Sequence, residues 1–258
     1  MRILLSNDDG VHAPGIKALR QTLSEIAEVY VVAPLEEKSA TGHGLTLSHP
    51  VRVVKIEDKV YGVSGYPADC ILMALQELLA DVTFDVVISG INHGANMGQE
   101  IYYSGTAAAA REASFNSLKS IAVSLVTDPP HERPLHFETA GQFVKEFLLK
   151  KGHEQMGAYQ MFNINVPNLP KEEIQGVELT SLGFRNYTKG MEKRLDTRQK
   201  PYYWLGGHFA GPSKIPGSDG MAILAKKISV SRLDLIQTPS VQDQSLISFV
   251  NNNFAVKL

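Results

Sequence analysis

The sequence has little of what would cross-link the chain or carry it into a membrane. Its 258 residues include one cysteine, Cys70, which excludes an intramolecular disulfide framework and a zinc ribbon. No apolar run approaches the roughly eighteen residues that a membrane-spanning helix needs. The first apolar run, residues 3–5, stops before Asp8 and Asp9 and is too short for the core of a secretory leader. We therefore expect a cytoplasmic protein that does not bind a membrane.

An excess of charge of one sign is also missing. The 25 Lys and Arg residues against 27 Asp and Glu residues give a formal net charge of −2. Binding to nucleic acid depends on many uncompensated basic side chains, so we expect no nucleic-acid partner. The aromatic content of 8% and the low net charge exclude a disordered chain, and a length of 258 residues is enough to bury a sizeable core.

Three sequence motifs that would indicate other enzyme classes are absent. No G-x-G-x-x-G follows the first apolar run, which argues against a nicotinamide-dependent reductase. The chain lacks G-x-x-x-x-G-K-[ST] and G-x-S-x-G, so a P-loop NTPase is excluded and a serine hydrolase is disfavoured. An aspartyl-phosphate phosphatase fits poorly, since its two Asp residues usually stand two apart and Asp8 and Asp9 are adjacent.

Short apolar runs alternate with helical patterns through the first half of the chain, which predicts βαβ units and a parallel sheet. The buried strands predicted in this way span residues 3–5, 29–33, 85–89 and 121–125. The helices between them are predicted to begin at Pro14, Pro67 and Ser104. Residues 51–56 and 61–63 are predicted to add antiparallel strands. The expected fold class is α/β, a Rossmann-like and mostly parallel sheet with helices on both faces.

The pattern changes after Thr127. A helix is predicted over residues 135–149 and a strand over 161–166, followed by glycine- and proline-rich hairpins between residues 179 and 224. We therefore divide the chain into residues 1–127, an α/β core that carries the polar loops, and residues 128–258, with hairpin extensions, which together form one continuous domain. Residues 185–200 are rich in Lys and Arg and form either a solvated hairpin or a basic arm that attracts an anionic substrate or grips a partner subunit.

An acidic pair directly after the first strand is the strongest chemical signal. Ligands of open α/β sheets bind at the carboxyl ends of strands, and Asp8 and Asp9 follow such an end. Two adjacent carboxylates repel each other unless a cation or a proton neutralises one. Oxygen ligands favour a hard cation such as Mg²⁺ or Mn²⁺, and Gly10 allows a sharp backbone turn beside it. The alternative is a helix cap with an exposed turn acid.

Three further loops with many oxygen donors follow predicted strands or open a helix, at residues 38–44, 89–96 and 103–106. The last loop suits a phosphate at a helix N-terminus, and it fits plain capping by Ser104 equally well. His12 and His93 lie near these loops and are either acid–base groups or surface hydrogen-bonding residues.

Three segments together carry a family resemblance: residues 7–10 (Asn-Asp-Asp-Gly), 89–92 (Ser-Gly-Ile-Asn) and 103–109 (Tyr-Ser-Gly-Thr-Ala-Ala-Ala). In this order and spacing they resemble the SurE family of stationary-phase survival proteins, which are metal-dependent nucleoside monophosphate phosphatases. The resemblance continues through residues 194–204 and 217–219 and so covers nearly the whole chain.

The resemblance implies roles for individual residues. The family's divalent-metal ligands match Asp8, Asp9, Ser39 and Asn92. The positions that surround the phosphate match Asn96, Ser104, Gly105 and Thr106. Asp8 or Asp9 is then catalytic, orienting or deprotonating the attacking water. The chain departs from the family pattern at Ala40, where Gly is common, and at Gln99 and Glu100, which replace two acidic residues.

The resemblance also implies a cofactor, a substrate and an assembly. These are one Mg²⁺ or Mn²⁺ ion per subunit, hydrolysis of nucleoside 5′- and 3′-monophosphates with short polyphosphate in some members, and a homodimer or homotetramer with exchanged C-terminal arms. A second hypothesis uses the same loops: a nucleotide- or metal-responsive binding module that does not turn over its ligand.

Overall fold

The computed structural model describes residues 1–127, 134–188 and 190–236. The strands are β1 (Arg2–Ser6), β2 (Glu28–Pro34), β3 (Val53–Glu57), β4 (Val60–Val63), β5 (Val86–His93), β6 (Ser120–Val126), β7 (Gln160–Pro167), β8 (Val177–Leu179), β9 (Arg185–Tyr187), β10 (Gly190–Leu195), β11 (Pro201–Gly206), β12 (Phe209–Pro212) and β13 (Ile228–Asp234). The α-helices are α1 (Pro14–Leu23), α2 (Pro67–Met73), α3 (Gly105–Phe115), α4 (Phe137–Leu149) and α5 (Asp219–Leu224).

Nine strands form the central sheet, in the order β3-β4-β2-β1-β5-β6-β7-β13-β8. The six strands from β4 to β7 in this order are mutually parallel, β13 runs antiparallel to β7, and β8 is parallel to β13. The predicted mostly parallel α/β sheet is thus confirmed. Strands from both parts of the chain share it, because β7, β8 and β13 follow residue 127.

Helices cover both faces of the sheet, as predicted. Ile3 and Leu5 pack in the core cluster under α1 and α4, whereas Leu4 packs in the cluster under α2 and α3. Both faces of β1 are therefore buried, which is why its sequence is continuously apolar instead of alternating. The alanines of α3 are fully buried, and their small side chains let this helix lie close to the sheet.

Two predictions about the strands were incomplete. The prediction that residues 61–63 add an antiparallel strand is wrong, because β4 runs parallel to β2, and of the two added strands β3 alone runs against the parallel strands. The reason is that β3 and β4 form a hairpin through Asp58 and Lys59, so only one of the two can run against the sheet direction. The strand β13 and the helix α5 had no counterpart in the sequence prediction.

The C-terminal hairpins are confirmed. Strands β10 and β11 pair antiparallel as a fully exposed arm, and β9 pairs antiparallel with β12. Lys189 and the residues 128–133, which include the predicted break at Pro129 and Pro130, lie outside the described residues. Among the helices that the structure describes, none combines the length and apolar character that a membrane span requires.

Candidate active site

The carboxyl ends of β1 and β5 bring two of the predicted loops together. The two strands are parallel neighbours, paired from Ile3 with Val86 to Ser6 with Ser89. Beyond them, the backbone N–H of His93 donates a hydrogen bond to Asp9 Oδ2 at 3.1 Å. The third predicted strand continues through His93, so the 89–96 motif begins inside β5 and not after it.

The turn after β1 is closed by Asn7. Its side-chain Nδ2 donates to the Gly10 carbonyl at 2.9 Å, and its Oδ1 accepts from the Gly10 N–H at 3.2 Å. Gly10 has a φ of +102°, a backbone conformation that a residue with a Cβ rarely adopts. This closed turn holds Asp8 and Asp9 at the sheet edge, and the Asp8 carbonyl accepts a further bond from the N–H of Lys38 at 2.7 Å.

Asp8 lies against the first turn of α3. The Thr106 hydroxyl donates to Asp8 Oδ1, and the nearby backbone N–H groups of Gly105 and Thr106 also favour the ionised carboxylate. A Cβ on Gly105 would lie 2.7 Å from Asp8 Cβ, so only glycine permits this approach. A predicted metal ligand and two predicted phosphate-binding residues therefore meet at one helix N-terminus.

The two acidic side chains share a largely buried environment. Burial raises the pKa of Asp8, and the hydrogen bonds from Thr106 oppose this shift. Burial, together with the charge of Asp8 and, to a smaller extent, that of Glu37, raises the pKa of Asp9 to about 7. A cation would relieve both the burial cost and the repulsion, so the electrostatics of this acidic pair fit a divalent metal.

Asn92 and Ser39 present oxygen atoms at the same cavity as Asp8. Asn92 Nδ2 donates to the Gly94 carbonyl at 2.9 Å, so the amide oxygen is the atom that could bind a cation. The Ser39 hydroxyl donates to Glu37 Oε1 at 2.7 Å, and its oxygen keeps lone pairs for a cation. In the described part of the chain no three His, Cys, Asp or Glu side chains cluster for a metal, so a cation at this place would need amide and hydroxyl oxygens as well.

Of the four predicted phosphate-binding residues, Asn96 and Ser104 line the cavity, whereas Gly105 and Thr106 contact Asp8 and do not line it. Ser104 is the N-cap of α3, and its Oγ accepts from the Ala107 N–H at 3.0 Å, which leaves the hydroxyl proton to donate to a ligand. Asn96 is held from behind: its N–H donates to Asn165 Oδ1 at 3.0 Å, and its carbonyl accepts from Asn163 and Asn165. Asn96 Nδ2 donates to Ser124 Oγ at 2.9 Å.

The second wall of the cavity comes from residues outside the predicted metal and phosphate sets, and of these only Arg185, in the basic run 185–200, was a candidate for attracting an anionic substrate. The cavity of about 670 Å³ reaches from Asp8 to Arg185, Tyr187, His208 and Phe209, which belong to or border β9 and β12. Arg185 is 6% exposed, its guanidinium lies 3.8 Å from the centre of the Phe209 ring, and its Nε lies 3.0 Å from Glu100 Oε2. The buried Arg185 is thus part of the site wall.

The other described basic residues between positions 185 and 200 are exposed, whereas Arg185 is buried. The exposed side chains are Lys193, Arg194, Arg198 and Lys200 on the β10–β11 arm. The sequence holds no signal for this difference, because Lys189 follows Arg185 by only four positions and continues the same basic run.

A buried carboxylate supports the cavity from behind. Asp219, 1% exposed, accepts backbone hydrogen bonds from Gly98 at 2.7 Å and Gly183 at 2.9 Å. It thereby joins the segment after Asn96 to the segment before Arg185. Asn163 and Asn165 on the buried strand β7 were also missed, although two Asn residues in an apolar run are a readable signal for such a role.

The two candidate histidines, His12 and His93, lie in different parts of the structure. His93 lines the cavity, and its ring contacts Phe137 edge-on at 6.5 Å between centroids. His12 borders a different and smaller depression beside Lys17 and Arg20. Of the two, His93 is the one at the site.

The fold and the site together define the class: an α/β protein whose acidic pair meets a helix N-terminus at the carboxyl edge of a parallel sheet. A family model described as "Survival protein SurE" matches residues 3–189. The chain belongs to the SurE family, which confirms the resemblance seen in the sequence.

Individual relatives agree in sequence and in structure. "5′-nucleotidase SurE" of Vibrio cholerae serotype O1 (strain ATCC 39315) is 42% identical over 235 residues, covering 91% of this chain and 92% of the relative. The protein of the same name from Legionella pneumophila (strain Corby) is 40% identical over 238 residues, 92% of each chain. The crystal structure of the SurE protein from Aquifex aeolicus matches with a TM-score of 0.84 at 35% identity, over 97% of this chain and 100% of that one.

Proposed function

We propose that this protein is a 5′-nucleotidase, a phosphoric monoester hydrolase that converts nucleoside monophosphates to nucleoside and phosphate with a divalent cation, Mg²⁺ or Mn²⁺. The observation that carries the proposal is the contact of Asp8 with Thr106 and Gly105, which joins an acidic pair to a helix N-terminus. Helix N-termini bind phosphate, and paired carboxylates bind hard cations. Relatives named "5′-nucleotidase SurE" at about 40% identity support the same activity.

The size and lining of the cavity suit a nucleotide better than a phosphate alone. Its volume of about 670 Å³ lies within the usual range for small-molecule sites. Polar groups line one end, and the aromatic rings of Tyr187 and Phe209 stand on the other wall. A phosphate at the α3 end therefore leaves room for a sugar and base toward these rings.

The proposed cation ligands are Asp8, Asp9, Ser39 and Asn92. Such an ion, when bound, polarises a phosphoryl oxygen and lowers the pKa of the attacking water. Glu37 Oε1 accepts a hydrogen bond from the Ser39 hydroxyl, which orients the serine lone pairs. The turn closed by Asn7 and Gly10 keeps the two carboxylates in place before any ligand arrives.

The chain's own groups bind the phosphate and position the water. The Ser104 hydroxyl donates to the phosphate oxygens, and the positive end of the α3 dipole lies beside them, where charge must be stabilised in the transition state. Thr106 acts through Asp8, since its hydroxyl is committed to that carboxylate. Asp8 lines the cavity, so we assign to it the orientation of the attacking water, while Asp9 mainly supplies charge to the cation.

We also propose a homo-oligomer, a dimer or a tetramer, in which the β10–β11 arm packs on a second copy. The arm exposes a run of large apolar side chains: Met191, Leu195, Tyr202, Tyr203, Trp204 and Leu205. Apolar patches of this kind mark association surfaces.

Short polyphosphate is a further proposed substrate. The cytoplasm is the proposed compartment, because the only thiol of the chain, Cys70, is buried and forms no disulfide in the fold.

The test is phosphate release from AMP by the purified protein. We expect hydrolysis that stops on chelation and returns with Mn²⁺ or Mg²⁺, and a loss of rate of about 10²-fold or more in Asp9→Asn. A protein that binds AMP without releasing phosphate at any metal concentration would instead be the binding module. Near-normal hydrolysis by Asp9→Asn with added Mn²⁺ would refute the assignment of the acidic pair.

A further inference from the structure

The loop that carries Ser39 lies between β2 and β3 and has no regular secondary structure. Ser39 itself is exposed, and the next residue, Ala40, has a φ of +56°. A ligand on such a segment needs anchors elsewhere if its position is to be fixed. One anchor is the bond from the Lys38 N–H to the Asp8 carbonyl at 2.7 Å, on the N-terminal side of Ser39.

The anchor on the C-terminal side of Ser39 is His43. Its Nε2 lies 2.9 Å from Glu112 Oε2 on α3, and its ring stacks on Phe115 with 5.8 Å between centroids. Arg111 Nη1 lies 3.4 Å from the other ring nitrogen, Nδ1. Because the Arg111 guanidinium can only donate, Nδ1 of His43 accepts its hydrogen bond. Nε2 of His43 then carries the hydrogen and donates a bond to Glu112. The three partners, all on α3, fix both the ring position and the tautomer.

Glu112 is itself held in place. Its Oε1 accepts from Asn116 Nδ2 at 3.1 Å, and its side chain is 12% exposed, against 21% for His43. Arg111 is tied to the same region through a bond from Nη2 to the Ile101 carbonyl at 3.1 Å. His43 therefore packs against a prearranged surface of α3, and the interaction is not a loose pair on the solvent side.

Helix α3 thus contacts both halves of the proposed site. Its first turn holds Asp8 through Thr106, and its later turns hold His43 through Glu112. The Gly42 N–H adds a bond to the Tyr103 carbonyl, just before the helix, at 2.9 Å. The position of the Ser39 loop relative to Asp8 is therefore set by one rigid element.

We propose that His43 and Glu112 are a positioning pair that holds Ser39 within reach of the cation. The inference rests on the metal site proposed above. Neither residue lines the cavity, so the pair acts through the loop and not on the substrate. Partners that orient metal ligands from behind typically change metal affinity by about 10–100-fold when they are removed.

The experiment measures Mn²⁺ affinity by electron paramagnetic resonance of the free ion, without substrate. We expect His43→Ala and Glu112→Ala to weaken Mn²⁺ binding by about tenfold or more, and His43→Gln, whose amide can still donate to Glu112, to restore most of it. The matched control is His49→Ala, since His49 is an exposed histidine farther along the same connection whose ring contacts Ser48. The KM for AMP at saturating Mn²⁺ should stay near that of the unmutated protein.

Hydrogen exchange of residues 38–44 gives a second readout that needs no metal. Faster exchange there in His43→Ala, with an unchanged melting temperature, is the expected result. Mn²⁺ affinity of His43→Ala within twofold of the unmutated protein would overturn the positioning role. Absence of Mn²⁺ binding by the unmutated protein would instead contradict the proposed metal site, so the two failures are distinguishable.

Discussion

The contact between Gly105 and Asp8 makes a sharp prediction for Gly105→Ala. The added Cβ would lie 2.7 Å from Asp8 Cβ and 2.9 Å from Asp8 Oδ2, whereas ordinary contacts begin at 3.4 Å. The helix start and the Asp8 turn must therefore separate, by about 0.7 Å if the contact is to become an ordinary one, which weakens the Thr106–Asp8 hydrogen bond. Misplacement of this size in an active site costs up to about 10² in rate.

The expected stability change is small by comparison. Overpacking costs about 1–3 kcal/mol. Gly105 is the first residue of α3, where alanine gains less than the about 1 kcal/mol by which it is favoured over glycine in a helix interior, so this gain offsets only part of that cost. We expect the kcat for AMP at saturating Mn²⁺ to fall by about ten- to a hundredfold, with a melting temperature shifted by only a few degrees.

The matched control is Gly141→Ala in α4, where the new Cβ would lie 3.0 Å from the Thr22 hydroxyl oxygen, away from the site. This variant should keep its activity even if the melting temperature moves. A Gly105→Ala protein that retains more than half of the kcat would show that the close approach of α3 to Asp8 does not matter for the reaction.

Three further predictions concern pH, a buried clamp and the arm. In the folded, metal-free protein the pKa of Asp9 is raised from 3.8 to about 7, so between these pH values the folded protein binds more protons than the unfolded chain. Its free energy of unfolding therefore falls as the pH rises through this window, by a few kcal/mol at most. Urea unfolding of the EDTA-treated protein from pH 4.5 to 8 measures this, and a slope that is equally steep in Asp9→Asn would contradict it. Asn165→Ala leaves the buried Asn96 N–H without its acceptor, so it should lower the free energy of unfolding by about 1–3 kcal/mol and also lower kcat. Full activity of this variant would show that Asn165 does not support the site. Replacing residues 190–206 by a short Gly-Ser link should reduce the particle mass in light scattering without unfolding the sheet, and an unchanged mass would separate the arm from assembly.

Much of the fold was readable because it depends on local patterns. Continuous apolar runs predicted β1, β2, β5 and β6 to within a few residues, since strands buried on both faces carry no polar alternation. The beginnings of three helices were also predicted correctly. A proline at the first helical position marks α1 (Pro14) and α2 (Pro67), and an N-cap serine marks α3 (Ser104). By contrast, β13 was not predicted. Its position between β7 and β8 in the sheet is set by pairing with strands that are distant in sequence, and the residues around β13 do not indicate that pairing.

The residues proposed for the metal and the phosphate lie in the first half of the chain, on loops that parallel strand order brings to one sheet edge, and so the sequence by itself determined where that chemistry is concentrated. Only the tertiary structure decided which distant groups join it. Arg185 meets Glu100 across 85 positions of sequence, and His43 meets Glu112 across 69. Such pairs follow from the path of the whole chain through the sheet, because burial and hydrogen-bond partners at that range leave no periodic mark on the sequence around either residue.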